Sequence, residues 1–326
     1  MKPILLIALL ISMACGAVVP QAGLRFYYTF DQQTASGSTV KDMSGNGYDL
    51  TSSGPVQFAA DRFYNAKSAL KMDGTYHLSA LLPDTTVHAM TDSNDFTFGI
   101  AFNTTASSTS MEGRMDIAGL GDPYNSGVFL SMHDNRLRIF LGNHGYYDTP
   151  DTLNDGQWHI AIAVRSQGAV FLYVDGKLSD QGAVTGEVYP ISDSLMIGKH
   201  GIKDESFYIG LLDDVFYYSR ALSANDASTL YRTLSGVPVS FTTRVDTVAA
   251  PRPTIAWHAV PNAIAYAFEI GNDSLFASPF ISIPLDDTGL TVPQALAAGR
   301  YYLRVGCNYD DRAPFVFPDW HAMVVK

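Results

Sequence analysis

Asp155–Leu178 reads DGQWHIAIAVRSQGAVFLYVDGKL, and Ile209–Ser223 reads IGLLDDVFYYSRALS. The apolar runs His159–Val164 and Val170–Val174 in the first string are bounded by Asp155-Gly156 and Asp175-Gly176, dipeptides that favour tight turns. These runs read as β-strands. In the second string, regular pleating of Leu211–Tyr218 puts Asp213 on the side of Leu211, Val215 and Tyr217 and Asp214 on the opposite side. A carboxylate on a core face needs a partner, because burying it alone is costly.

The same pattern continues outward in both directions. Arg25–Phe30, Ser68–Met72, Phe96–Phe102, Gly127–Met132, Arg136–Leu141 and Ser194–Ile197 are short strand-like runs, separated by turn signals such as Ser44-Gly45-Asn46-Gly47 and Asp73-Gly74. About ten strands and one helix describe an all-β antiparallel sandwich of jelly-roll type. The helix is expected over Ser223–Thr233, with Ser223 as N-cap and Ala227, Leu230 and Tyr231 on one face. This first unit spans residues 23–235. Residues 236–250 carry Gly236, Pro238 and no helical periodicity, which suits a linker. Residues 251–326 hold further runs at Thr254–Trp257, Ala265–Ile270, Phe280–Pro284, Tyr301–Gly306 and His321–Val325, and form a second, smaller sandwich.

Composition narrows the class of function. Hydrophobic residues make up 47% and charged residues 16% of the 326, so the chain can bury a core and is not disordered. Its formal net charge of −11 and lack of a basic patch exclude nucleic acid and an anionic membrane surface as expected partners. Met1-Lys2-Pro3, the apolar run Ile4–Ile11 and the small residues through Ala17 form a secretory signal, residues 1–17, too short to span a bilayer. The chain is therefore expected to be secreted or at the cell surface, with no transmembrane span. Cys15 stands where a lipid anchor would attach, ordinary cleavage near Ala17 being the alternative. Once the signal is removed Cys307 has no partner for a disulfide, and its apolar surroundings make it a core thiol.

The strings are more specific than their composition. RFYYTFDQQTASGSTVKDMSGNGYDLT, ADRFYNAKSALKMDGTYHLS, DFTFGIAFNT, the DGQWH string and LLDDVFYYSRALS together resemble the bacterial laminin-G-like, concanavalin-A-like lectin/glucanase jelly rolls from Arg25 to Arg232. Phe102 stands where that family has Trp. PTIAWHAVPNAIAYAFEI, SLFASPFI and AAGRYYLRV resemble a fibronectin type III module of the bacterial exoprotein kind, an immunoglobulin-like sandwich. The first resemblance implies a structural calcium ion held by Asp31, Asp42, Asn46 and Asp213, with Gly47 as a carbonyl donor. Calcium takes six to eight oxygens, carboxylates among them, and would neutralise Asp213. Capping of the turn by Asp42 and Asn46, with Asp213 accepting backbone N–H bonds, accounts for the same residues without metal.

No catalytic constellation stands out. A glycosidase of this fold needs two carboxylates about 5 to 9 Å apart on one face. The nearest spacing, Glu112-Gly113-Arg114-Met115-Asp116, lacks the remaining acids of the glucanase signature and reads as a solvated loop. The eight histidines show no zinc spacing, and His159 reads as structural. Binding is the main expectation, since sugar sites stack exposed aromatic rings on apolar sugar faces and frame them with hydrogen-bonding side chains. Asn143, His144, Tyr146 and Tyr147, with Tyr124 nearby, have that composition. The expected function is a non-catalytic recognition protein that binds polysaccharide or a glycoprotein glycan. An adhesion protein with a protein partner is the first alternative and a glycoside hydrolase the second.

Overall fold

The computed structural model of the chain describes residues 19–83, 95–108, 113–122, 126–184, 186, 193–236, 239–260, 263–274, 276, 278–308, 315, 317 and 320–326. The expected signal, Tyr124 and Glu112 lie outside these residues, as does the side chain of Asn143.

Two antiparallel sheets form the first unit. One has the order Lys177–Ala183, Ala169–Val174, His159–Ser166, Phe96–Asn103, Ile209–Tyr218, Ala69–Asp73, Phe58–Ala59, with Leu24–Tyr28 also paired to Ile209–Tyr218. The other runs Tyr146–Asp148, Arg136–Leu141, Ser126–His133, Arg114–Asp122, Ser194–Ile197, Leu78–Leu81, Leu50–Ser52, Thr39–Val40, Ala35–Ser36. Alternate residues of both sheets, among them Phe98, Ile100, Phe102, Ile117, Leu130, Ile139, Leu172 and Leu195, meet in one dry core. This is the expected jelly-roll sandwich.

The reading of His159–Val164 as an unbroken apolar run has a physical cause. Ala161 and Ala163 face the core between the sheets, while Ile160, Ile162 and Val164 lie in a separate cluster with Leu222, Ala227, Leu230 and Leu234. The helix Ala224–Ser235 supplies the last three and covers the outer face of this sheet. Ser223 caps it, accepting from the Asp226 N–H while the Asp226 carboxylate accepts from the Ser223 N–H, a reciprocal capping box.

Regular pleating fails at Asp213. Pairing with Phe96–Asn103 runs Asp213 to Ala101 and then Phe216 to Gly99, so three steps on one strand match two on the other. Asp214 adopts a left-handed φ of 48°, which makes this a β-bulge. The inward set switches parity across it: Leu212 precedes the bulge in the core, and Val215 and Tyr217 follow it. Asp213 and Asp214 consequently do not point to opposite faces. Both reach Arg62, Asp213 Oδ2 accepting from Nη1 at 2.6 Å and Asp214 Oδ2 from Nη2. Arg62 Nε donates to the Leu234 carbonyl at the helix end, and Tyr27 Oη donates to Asp214. Burial and the neighbouring Asp214 push the Asp213 carboxyl well up, against the pull of Arg62.

A second clamp sits on the DGQWH turn. His159 Nδ1 meets Asp175 Oδ2 at 2.8 Å and Nε2 meets Asp155 Oδ1 at 3.2 Å, so the histidine ties both Asp-Gly turns. Phe102 packs against its ring. Burial lowers the His159 pKa, but the hydrogen bonds and charges of Asp175 and Asp155 outweigh it and the net shift is upward.

The second unit pairs a sheet of five strands, Thr247–Val248, His321–Val325, Gly299–Asn308, Ala265–Gly271 and Ile281–Leu285, with a two-stranded sheet of Thr254–Ala256 and Gly289–Thr291. Ile255, Trp257, Phe268, Leu303, Met323 and the buried Cys307 form its core. Residues expected as a linker contribute to it: Val239 and Val245 are in this core, and Thr247–Val248 pairs in parallel with Val324–Val325. Their β-branched side chains found an apolar surface that local composition does not reveal. Phe63, next to Arg62, also packs on this core.

Substituting Arg62→Met leaves two buried carboxylates without their cation and is expected to cost about 3–5 kcal/mol, read as a lower urea midpoint. An unchanged midpoint would show that the triad is dispensable. The His159 clamp has the opposite sign to a paired carboxylate: its stabilisation is full below the unfolded pKa near 6.5 and is lost as pH rises through the raised folded value. Wild type should lose this increment as pH climbs above 6.5, and His159→Gln should remove that slope from the stability curve.

Candidate functional site

The outward face of the nine-stranded sheet carries the chemistry. On Arg136–Leu141, Leu137, Ile139 and Leu141 enter the core, so Arg136, Arg138 and Phe140 project from the other side. The adjacent edge strand aligns Tyr146 with Phe140 and Asp148 with Arg138. Arg138 grips Asp148 in a two-pronged ion pair, 2.6 Å at Nη2, and its guanidinium carbon lies 3.6 Å from the centre of the Tyr146 ring. One face of that ring is thus covered, yet Tyr146 remains 53% exposed.

Farther in, Ser131 sits opposite both Arg138 and Asp116. Its hydroxyl donates to Asp116 Oδ1 at 2.6 Å, and Arg114 Nε lies 2.9 Å from the same oxygen. Arg114 and Arg138 also flank the Phe140 ring, at 5.8 and 5.3 Å. Arg114–Asp122, expected in part as a solvated loop, is instead a strand buried along its whole length. Its Arg-Met-Asp-Ile opening alternates charged with apolar residues, which was the available signal. Arg114 and Asp116 were met in the sequence only within the Glu112–Asp116 segment set aside as a loop, and Ser131 and Arg138 carry no motif.

Part of this face is closed. Gly198 N–H bonds to Ile117 O and Asp116 N–H to Ser206 O, so residues 199–205 bulge away between two points of pairing and lie over the sheet. A Cβ on Gly201 would stand 1.8 Å from the Gly121 carbonyl oxygen, so two backbones touch there only because side chains are absent. Buried His200 shapes the bulge, its Nδ1 accepting from the Ile202 and Lys203 N–H groups. Burial, then the nearby Arg114, push its pKa down to about 4. This histidine stays neutral at pH 7 and ties its own loop together.

The pleat separates the expected tyrosine pair. Tyr146 faces water, whereas Tyr147 turns inward, donates from its hydroxyl to the Ala183 carbonyl at 2.7 Å and lies so close to Gly182 that a Cβ there would be 2.1 Å from its ring. Tyr147 therefore bridges the two sheets at their edge. His144 is partly buried beside Gly186. Of the expected ligand residues that are described, Tyr146 is the exposed ring.

The residues expected to hold calcium fall into two groups. Asp42 accepts from the N–H groups of Tyr27, Ser44 and Tyr48 and from the Ser44 hydroxyl, and Asn46 Nδ2 donates to the Leu24 and Arg25 carbonyls. Gly47 belongs to that loop. Asp213 is held by Arg62, and Asp31 lies near Asp214 and Asp61, its pKa raised by burial against a hydrogen bond from Ser68. Both groups are occupied by protein donors. Among the described residues no three His, Cys, Asp or Glu side chains stand ready to hold a metal ion.

Residues 73–228 match the family model of the concanavalin A-like lectin/glucanases superfamily. No curated protein matches the sequence. Among solved structures, the binding domain of Paraclostridial Mosquitocidal Protein 1 is similar at 14% identity and a TM-score of 0.54, over 87% of this chain and 75% of that one. The binding domain of botulinum neurotoxin DC in complex with SialylT is similar at 13% identity and a TM-score of 0.52, over 89% and 73%. At 14% identity and a TM-score of 0.51, over 88% and 71%, stands botulinum neurotoxin type C, whose cell entry depends on two ganglioside molecules. These identities show a shared fold. No helix among the described residues is long and apolar enough to cross a membrane.

Because Arg62 already supplies the cation at Asp213, excess chelator is expected to leave the thermal midpoint unchanged. A fall reversed by added calcium would show that the two aspartate groups rearrange around a metal.

Proposed function

We propose that this chain, whose residues 73–228 match the concanavalin A-like lectin/glucanase superfamily and fold as its jelly roll, is an exported, non-catalytic carbohydrate-recognition protein. The observation that carries this reading is Tyr146, a half-exposed ring held in a fixed orientation at the open edge of the nine-stranded sheet. Stacking on a sugar requires such a ring, and a ring already immobilised by Arg138 and Asp148 loses little freedom when ligand arrives. The Asp148 carboxylate beside it accepts hydrogen bonds from sugar hydroxyls. The ligands named for the botulinum structures, SialylT and gangliosides, bear sugars, which agrees with this reading.

A hydrolase would keep one carboxyl protonated as general acid. Asp116 and Asp148 are each already engaged by an arginine, so neither stands free to serve as that acid. The second unit then acts as a fibronectin type III-like spacer, and the N-terminal segment directs export.

A glycan array with the full chain, followed by titration of its best ligand, tests the reading. Tyr146→Ala should weaken binding about tenfold or more, the scale on which a buried aromatic contact acts, without shifting the melting temperature. Tyr147→Ala should lower the melting temperature, since it removes the bridge to Ala183 and Gly182. Equal binding by wild type and Tyr146→Ala would remove this edge as the site.

A further inference from the structure

We infer, resting on the recognition reading above, that the Tyr146 site takes neutral, hydroxyl-rich sugars and discriminates against sugars bearing a carboxylate. Recognition of a carboxylate calls for a cation with donors to spare, ideally a guanidinium offering two parallel N–H groups. The guanidinium at Tyr146 has none facing outward in that way. Arg138 spends Nε and Nη2 on Asp148, lies flat on the Tyr146 ring and is 7% exposed. The next one inward, Arg114, is fully buried in its pair with Asp116.

Among the described residues, the charged groups that meet water beside the ring are carboxylates. Asp148 keeps part of its carboxylate exposed, and its N–H is bonded to half-buried Asp180 of the neighbouring sheet. At the far end of the adjoining strands stand His133, its pKa lowered by burial and by Arg138, and exposed Asp134. Arg136 is an exposed cation of this face, but one outward position, Arg138, separates it from Phe140, the residue opposite Tyr146. An acidic sugar stacked on Tyr146 would bring its carboxylate toward carboxylates. A neutral sugar offers hydroxyl donors to the same oxygens at no such cost.

The test uses the full chain, a panel of neutral gluco-, xylo-, arabino- and galacto-oligosaccharides, and a panel of sialylated and uronate-bearing ones. Neutral members should bind, with affinity changing by less than about twofold between low and high salt, because no exposed ion pair is formed to be screened. Asp148→Asn should release the Arg138 guanidinium and raise binding to the acidic panel at least several-fold. Should that variant fail to fold, the two panels and the salt series on wild type decide alone. Binding confined to acidic sugars, or affinity that collapses with salt, would overturn the inference while leaving carbohydrate recognition intact. Silence across both panels would overturn carbohydrate recognition itself, and this inference with it.

Discussion

A single guanidinium holds the first unit to itself. Arg62 leaves a loop, enters a site from which water is nearly excluded, and joins the bulged strand through Asp213 and Asp214, the helix end through the Leu234 carbonyl and, by way of Asp214 and Tyr27, the first strand. Paired burial of this kind contributes modestly when compared with apolar packing, but breaking it strands charge in a dry place. The arrangement therefore specifies more than it stabilises: no other register of the central strand delivers two adjacent carboxylates to one cation. Phe63, the next residue, reaches the second core, so one dipeptide serves both units.

The parts legible in the sequence were those with a period or a terminator. Ser194–Ile197 and Arg136–Leu141 fall where the runs placed them, and Ser223 caps its helix because a hydroxyl followed three residues later by Asp226 is a local signal. What stayed hidden depended on distant partners. The bulge at Asp214 rests on a left-handed residue that is not glycine, and nothing beside it in the sequence marks that conformation. Regular pleating was the reasonable assumption there, and one extra residue reversed it. Asp213 was expected to need a partner if buried, with calcium as the candidate; a side chain 151 positions away bonds to it.

The site shows the same division. Gly-Tyr-Tyr-Asp announced an aromatic loop, but only pairing with Arg136–Leu141 decides that Tyr146 looks out and Tyr147 looks in. Arg138 became meaningful when the register set it between Asp148 and a ring. Cation, carboxylate and aromatic thus form one fixed unit at the sheet edge, assembled from strands with no motif of their own. Preorganisation of this kind limits what the edge can recognise as much as it assists recognition.

The strand Ile209–Tyr218 lies near the middle of its sheet although it is the last strand of its unit in the chain. Leu24–Tyr28, Ala69–Asp73 and Phe96–Asn103 all pair with it. During synthesis these earlier segments must wait, each with an unpaired edge, until residue 218 has emerged. Order of assembly is then set by the closing of long loops, a topology that slows folding. A product ending short of Tyr218 would expose several unpaired edges at once.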